Sequence, residues 1–111
     1  STENARKVVE FLKTSPQVKE VLYTGKGGMV SFKIQDEKKI PNLLNSLKVF
    51  TFAESLGGVE SLITYPTTQT HADIPAEVRH SYGLTDDLLR LSIGIEDADD
   101  LIEDLKQALE A

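Results

Sequence analysis

The sequence predicts a two-layer α/β (α+β) domain: a largely antiparallel sheet with helices on one face. Three observations carry this. Residues 29–34 alternate Val30, Phe32 and Ile34 with Ser31 and Lys33, the period of a strand packed on one face and wet on the other. Ala98, Leu101, Ile102, Leu105 and Leu109 recur at helical spacing near the end of the chain. Between them the pattern runs helix, two strands, helix, strand, short helix, strand, helix. At 111 residues the chain has room for one domain, 1–111.

Each element has its own signal. Thr2 or Asn4 can cap a first helix whose apolar stripe is Ala5, Val8, Val9 and Leu12, and Ser15-Pro16 ends it because the residue before proline avoids the α region. Val18, Val21, Leu22 and Tyr23 read as a strand of poor alternation. Gly25, Gly27 and Gly28 make the turn into the strand at 29–34. Ile40, Leu43, Leu44 and Leu47 form a second helix, with Pro41 tolerated only in its first turn. Residues 61–65 read as a strand closed by Pro66, 67–73 as polar loop, and 74–83 as a short helix with Pro75 near its start and Gly83 at its stop. Residues 88–95 give the last strand, and Asp97 opens the last helix.

The totals exclude several classes of function. A net charge of -6 makes nucleic acid and anionic membrane poor partners. Without cysteine there is no disulfide framework, no thiol nucleophile and no Cys-based metal site, and two histidines are too few for a histidine-rich one. No apolar run reaches the length of a membrane span, and no signal peptide opens the chain, which points to a cytoplasmic origin. The opening Ser-Thr-Glu-Asn reads as the cut end of a fragment. Glu96, Asp97, Asp99 and Asp100 crowd the start of the last helix, where the helix dipole favours acids. They read as dipole partners pointing away from the apolar stripe, and no metal site is expected.

The stretch 50–62, FTFAESLGGVESL, places a carboxylate and a hydroxyl, Glu54 and Ser55, ahead of Gly57-Gly58 in an otherwise apolar run. Read on its residues alone it is a tight loop with local hydrogen bonds. It resembles, however, the signature of the pyridoxal-phosphate (PLP) enzymes of cysteine and methionine metabolism, the cystathionine synthases and lyases and methionine γ-lyase. Gly27-Gly28-Met29-Val30-Ser31-Phe32, Thr70-His71-Ala72-Asp73-Ile74-Pro75 and Leu89-Arg90-Leu91-Ser92-Ile93-Gly94-Ile95-Glu96 resemble that family's other segments, in order, and the opening from Glu3 to Leu12 is similar to the helix that begins its C-terminal domain.

The resemblance implies the small C-terminal domain of an aminotransferase-like fold, cut from an enzyme that acts on sulfur amino acids such as cystathionine. It implies that Arg90 holds the substrate α-carboxylate and that Ser55 contributes its backbone N–H there. Its hydroxyl would lie near the cofactor's lysine. Glu54 is similar to the acid of the γ-synthases and γ-lyases, placed to meet a distal ammonium. By residues alone Arg90 is a surface arginine on the wet face of a strand, its side chain opposite Leu89 and Leu91. His71 reads as a loop-fixing hydrogen bonder, and Glu60, Glu77, Arg79 and His80 as surface or salt-bridge residues.

The lysine, pyridine partner and phosphate site of PLP belong, by the resemblance, to the large N-terminal domain and a partner subunit of a homotetrameric parent. The 111-residue chain alone is therefore expected to be inactive and to bind no PLP. One departure stands out: Thr24-Gly25-Lys26 joins two strands where the family usually has a longer loop. The competing reading is a free-standing amino-acid-binding regulatory module, for which the four ordered motifs have no reason to exist.

Overall fold

The computed structural model describes residues 2–52, 60–66, 77 and 85–111. The expected helix at 74–83 and the loop at 67–73 lie outside the described residues, Glu77 apart. The described elements are α1 (Thr2–Thr14), β1 (Val18–Leu22), β2 (Met29–Ile34), a 3-10 turn (Glu37–Lys39), α2 (Ile40–Ser46), β3 (Thr51–Phe52), β4 (Leu62–Thr64), β5 (Leu88–Ser92) and α3 (Ala98–Leu109). The strands form one sheet in the order β1-β2-β5-β4-β3. Three of its pairings are antiparallel, and β3 pairs β4 in parallel.

The core lies between this sheet and the three helices. Val30, Phe32 and Ile34 of β2, Leu89 and Leu91 of β5 and Ile63 of β4 meet Ala5, Val8, Val9 and Leu12 of α1 and Leu101, Leu105, Ala108 and Leu109 of α3 in one buried cluster. Ile40 and Leu43 of α2 close its edge. The stripes expected for α1 and α3 are the buried ones, except that Ile102 is only partly covered and Ala108 joins.

The departures from expectation have local causes. β1 alternates poorly because its pairing shifts between Val18 and Glu20: Val18 faces Ile34 while Glu20 already faces Lys33, so Lys19 is an extra residue. The bulge lets Val18, Val21 and Tyr23 all pack on the core from an edge strand. Lys19 pairs with Asp87. This hydrogen-bonded pairing raises the lysine pKa, and against the upward push of burial it holds the Asp87 carboxyl below its ordinary range, helped by Thr85. α2 begins after a 3-10 turn capped by Asp36, whose carboxylate accepts the Lys38 N–H at 3.0 Å, and it keeps Pro41 in its first turn. β3 was not foreseen. It is two residues long and is held by pairing with β4 and by a Thr51 N–H donated to the Ser61 carbonyl at 3.1 Å.

The expected N-caps of α1 are used differently. Asn4 donates across the molecule to the Glu96 carbonyl at 2.7 Å, and the Thr2 hydroxyl accepts the Gly27 N–H at 2.9 Å. The short turn at 24–28 is closed by Gly25 and Gly27, both at positive φ, where side-chain-bearing residues are strained.

Candidate functional site

Arg90 stands in the middle of β5, between Leu89 and Leu91, both fully buried in the core. Strand alternation therefore turns it to the face away from the helices. There it pairs with Ser31 of β2 on one side and Thr64 of β4 on the other, so the three form one row across the sheet. The next row holds Met29, Ser92 and Leu62, and the row beyond Arg90 holds Lys33 and Leu88. Among the described residues no carboxylate pairs with Arg90; the ion pairs there are Lys7–Glu3, Lys19–Asp87 and Lys33–Glu20. Arg90 is half-buried, and its guanidinium is a planar, five-donor fork of a geometry that suits bidentate pairing with a carboxylate. Glu54, Ser55, His71, Arg79 and His80 lie outside the described residues. Glu60 and Glu77 are exposed, as expected of surface residues.

Two further carboxylates matter, and neither was singled out for this from the sequence. Glu96 does not point idly outward with its acidic neighbours. Its Oε1 accepts the Ser61 hydroxyl at 2.7 Å and its Oε2 accepts the Ser61 N–H at 3.1 Å. The same hydroxyl accepts the Gly94 N–H at 2.8 Å, so the start of β4 is tied to the turn after β5. Burial pushes the Glu96 carboxyl up, yet the two bonds from Ser61 hold it below its ordinary value.

Asp104 lies on the inward side of α3 and is only 4% exposed. Its Oδ1 accepts the Lys48 N–H at 2.8 Å and its Oδ2 accepts the Val49 and Phe50 N–H groups at 2.7 and 3.0 Å. Gln107 donates to Oδ1 at 3.1 Å and to the Ser46 carbonyl at 2.6 Å. A buried charge persists only when its lone pairs are met, and these four donors meet them. The signal for Asp104 was its helical position: three after Leu101 and four before Ala108, it sits on the apolar stripe, where an acid needs a reason. Ser61 and Glu96 carried no such signal, because their pairing spans 35 positions.

Among the described residues no group of three or more His, Cys, Asp or Glu is placed to hold a metal, and no helix is long and apolar enough to cross a membrane.

The family described as Cys/Met metabolism PLP-dependent enzyme matches residues 1–110. Cystathionine gamma-synthase of Haemophilus influenzae is 58% identical over 106 aligned positions, which cover 96% of this chain and 29% of that protein. Cystathionine gamma-lyase of Bacillus subtilis is 48% identical over 124 aligned positions, covering 97% and 33%. The synthase match fills its 106 positions from this chain with no inserted stretch, whereas the lyase needs a longer alignment for the same share and so carries extra residues within it. Among solved structures, cystathionine gamma synthase of Xanthomonas oryzae pv. oryzae, in complex with cystathionine, superposes with a TM-score of 0.88 at 42% identity, covering 98% of this chain and 33% of that one. The chain thus spans about three tenths of the length of these relatives. It belongs to the family of PLP-dependent enzymes of cysteine and methionine metabolism.

Proposed function

We propose that this chain is the C-terminal, substrate-binding domain of a PLP-dependent transsulfuration-type enzyme, and that it supplies the site for the α-carboxylate of a sulfur amino acid. The observation that carries this is Arg90: a guanidinium at the centre of the sheet, turned from the core, with no carboxylate among the described residues to pair it. Arg90 grips the carboxylate with two parallel N–H donors, Ser55 adds its backbone N–H, and Glu54 meets a distal ammonium of a substrate such as cystathionine. The grip acts away from the bonds that break, so its work is to place the amino acid and to exclude other poses.

The residues present do not fit the cofactor itself. Every lysine of the chain is exposed except Lys33, which is half-buried and faces Glu20 at 3.8 Å. The chain thus has no buried lysine to anchor PLP, and we assign that lysine, the ring partner and the phosphate site to the larger part of the relatives' length that this chain does not span. When bound, PLP supplies the electron sink for carbanion chemistry at the amino acid. In this reading the 111-residue chain by itself is inactive and holds no PLP, and the parent is a cytoplasmic homotetramer.

Within the family a γ-synthase is favoured over a lyase. The synthase relative matches more closely, at 58% against 48% identity, over nearly the same share of this chain. A free-standing regulatory module has no such relatives to explain.

The test is made in the full-length parent with PLP bound. Arg90→Lys keeps the charge and loses the two-pronged grip; Arg90→Leu loses both. The expected result is a fall in kcat/KM for each, larger for Leu and on the order of a hundredfold, with the visible band of bound PLP intact. Near-normal kcat/KM in Arg90→Leu rules out the carboxylate assignment.

A further inference from the structure

β4 carries a buried hydroxyl that the core does not explain. Thr64 is only 7% exposed, yet it is turned from the helices, since Ile63 beside it is fully buried in the core. A buried hydroxyl normally has a hydrogen-bond partner, and among the described residues the Thr64 side chain has none. Valine has the same shape, suits a strand as well and would avoid burying a hydroxyl, so the oxygen calls for a partner. The register places one polar group close by. Thr64 pairs with Arg90, and its other neighbours on the same face, among the described residues, are Leu62 on its own strand and Leu88 and Ser92 on the diagonals. Directly paired residues hold their Cβ atoms about 4.5–5.5 Å apart, and diagonal ones lie about 7–8 Å away. The pairing of β3 with β4 ends at Ile63, so no described residue stands across from Thr64 on that side. The guanidinium is therefore the polar group in reach, and it too has no side-chain partner among the described residues. The two sides of Arg90 also differ. Toward β4 the face is closed, with Leu62 and Thr64 both buried; toward β2 it is open, with Ser31 half-buried and Met29 and Leu22 exposed.

We propose that Thr64 is a positioning residue for Arg90: in the liganded state its hydroxyl oxygen accepts one guanidinium N–H on the closed side and sets the two-donor edge of the fork over Ser31, toward the α-carboxylate of an amino acid arriving from the open side. The proposal rests on the reading of Arg90 given above. A guanidinium has five N–H donors and a carboxylate takes two parallel ones, so a donor is left for the protein. Two parallel bonds need the guanidinium plane fixed to about 10–20°, which a long, flexible stem does not do by itself. A neutral hydroxyl fixes it without a charge; an acid at 64 would compete with the ligand for the same donors. Thr64 does not touch the substrate, so it is not a catalytic residue.

The experiment uses the full-length holoenzyme with Thr64→Val, which keeps the shape and loses the hydroxyl, and Thr64→Ser, which keeps the hydroxyl. Two competitive probes are compared: L-norvaline, which has the α-carboxylate and no γ-leaving group, and n-butylamine, the same skeleton without the carboxylate. In Thr64→Val the norvaline inhibition constant and the substrate KM should rise about tenfold, the loss falling on KM rather than kcat, with butylamine inhibition and the visible band of bound PLP unchanged. Thr64→Ser should stay within about twofold of the wild type. Because Thr64 acts through Arg90, Thr64→Val should add nothing further in an Arg90→Leu background. Four results overturn the proposal: unchanged norvaline inhibition in Thr64→Val, equal weakening of both probes, a Thr64→Ser variant no better than Thr64→Val, or a further tenfold loss in the double variant. Equal weakening with a lowered melting temperature makes the hydroxyl merely structural. If Thr64→Val does not fold, Thr64→Ala decides on the same readings. Arg90→Leu separates the two readings. If it loses carboxylate selectivity while Thr64→Val keeps it, the role of Thr64 is overturned and the substrate-site reading stands. If Arg90→Leu itself keeps that selectivity, the substrate-site reading falls and takes Thr64 with it.

Discussion

On the helix side of the sheet, Val30, Phe32, Leu89, Leu91 and Ile63 are fully buried against α1 and α3. On the other side the same strands present Ser31, Lys33, Arg90, Ser92 and Thr64. The backbone is common to both faces, so the difference lies in the side chains alone. Among the described residues the apolar side chains of the helix side gather into one buried cluster within the chain. The other side holds a guanidinium that no described carboxylate answers, in a chain that spans about three tenths of its relatives. One face makes the domain, and on the other stands Arg90, the residue proposed to meet the substrate.

That contrast first breaks or holds on stability. Phe32 is fully buried at the centre of β2, and Leu105 is fully buried on α3. Phe32→Ala removes the larger side chain and should cost about 3–5 kcal/mol, and Leu105→Ala about 2–5 kcal/mol, each the lost transfer energy plus a cavity. Chemical denaturation of the chain measures both. An unchanged midpoint for either would mean that the helix side does not carry the fold.

A smaller effect sits at the junction of the two faces. Glu96 is pushed up by burial but held below its ordinary 4.5 by the bonds from Ser61. Its folded-state value is thus depressed, so the stability it contributes is fully present above about pH 4.5 and is lost as the pH falls through the folded value. Glu96→Gln should cost on the order of 1 kcal/mol at neutral pH and should flatten the acid limb of the stability profile. A variant whose profile below pH 4.5 overlays that of the wild type would show that the Ser61 pairing does not favour the charged form.

How much of this was legible follows the same division. The helix side was readable because packing writes itself as a period: 3.6 in Ala5, Val8, Val9 and Leu12, and 2 in Val30, Phe32 and Ile34. The period failed where the chain inserts a residue, at the Lys19 bulge, and where an element is too short to show one, at β3. Glu96 and Ser61 were missed because their pairing spans 35 positions, which composition does not encode, whereas Asp104 left a trace, an acid on the apolar stripe, that does not name its backbone N–H partners. Arg90 was placed by alternation, since Leu89 and Leu91 fixed which way it turns. Its role was expected from the resemblance and remains a proposal. Glu54 and Ser55 lie outside the described residues, so the loop half of the site was read from sequence alone.

The smallest expected change in stability belongs to the residue with the largest expected effect on function. Arg90 is half-buried, its backbone pairs with Ser31 and Thr64, and among the described residues it has no ion pair to lose. Leucine fits a strand position at least as well, and a substitution away from the core and from any hydrogen-bonded network usually stays within about 0.5 kcal/mol. Arg90→Leu in the 111-residue chain should therefore leave the denaturation midpoint where it was, while the same change in the parent costs about a hundredfold in kcat/KM. The pairing of the two measurements is what tests the comparison. A stability loss of 2 kcal/mol or more, on the scale of a core truncation, would mean that Arg90 is bound into the fold after all, and that the face turned from the helices is held together from within this chain.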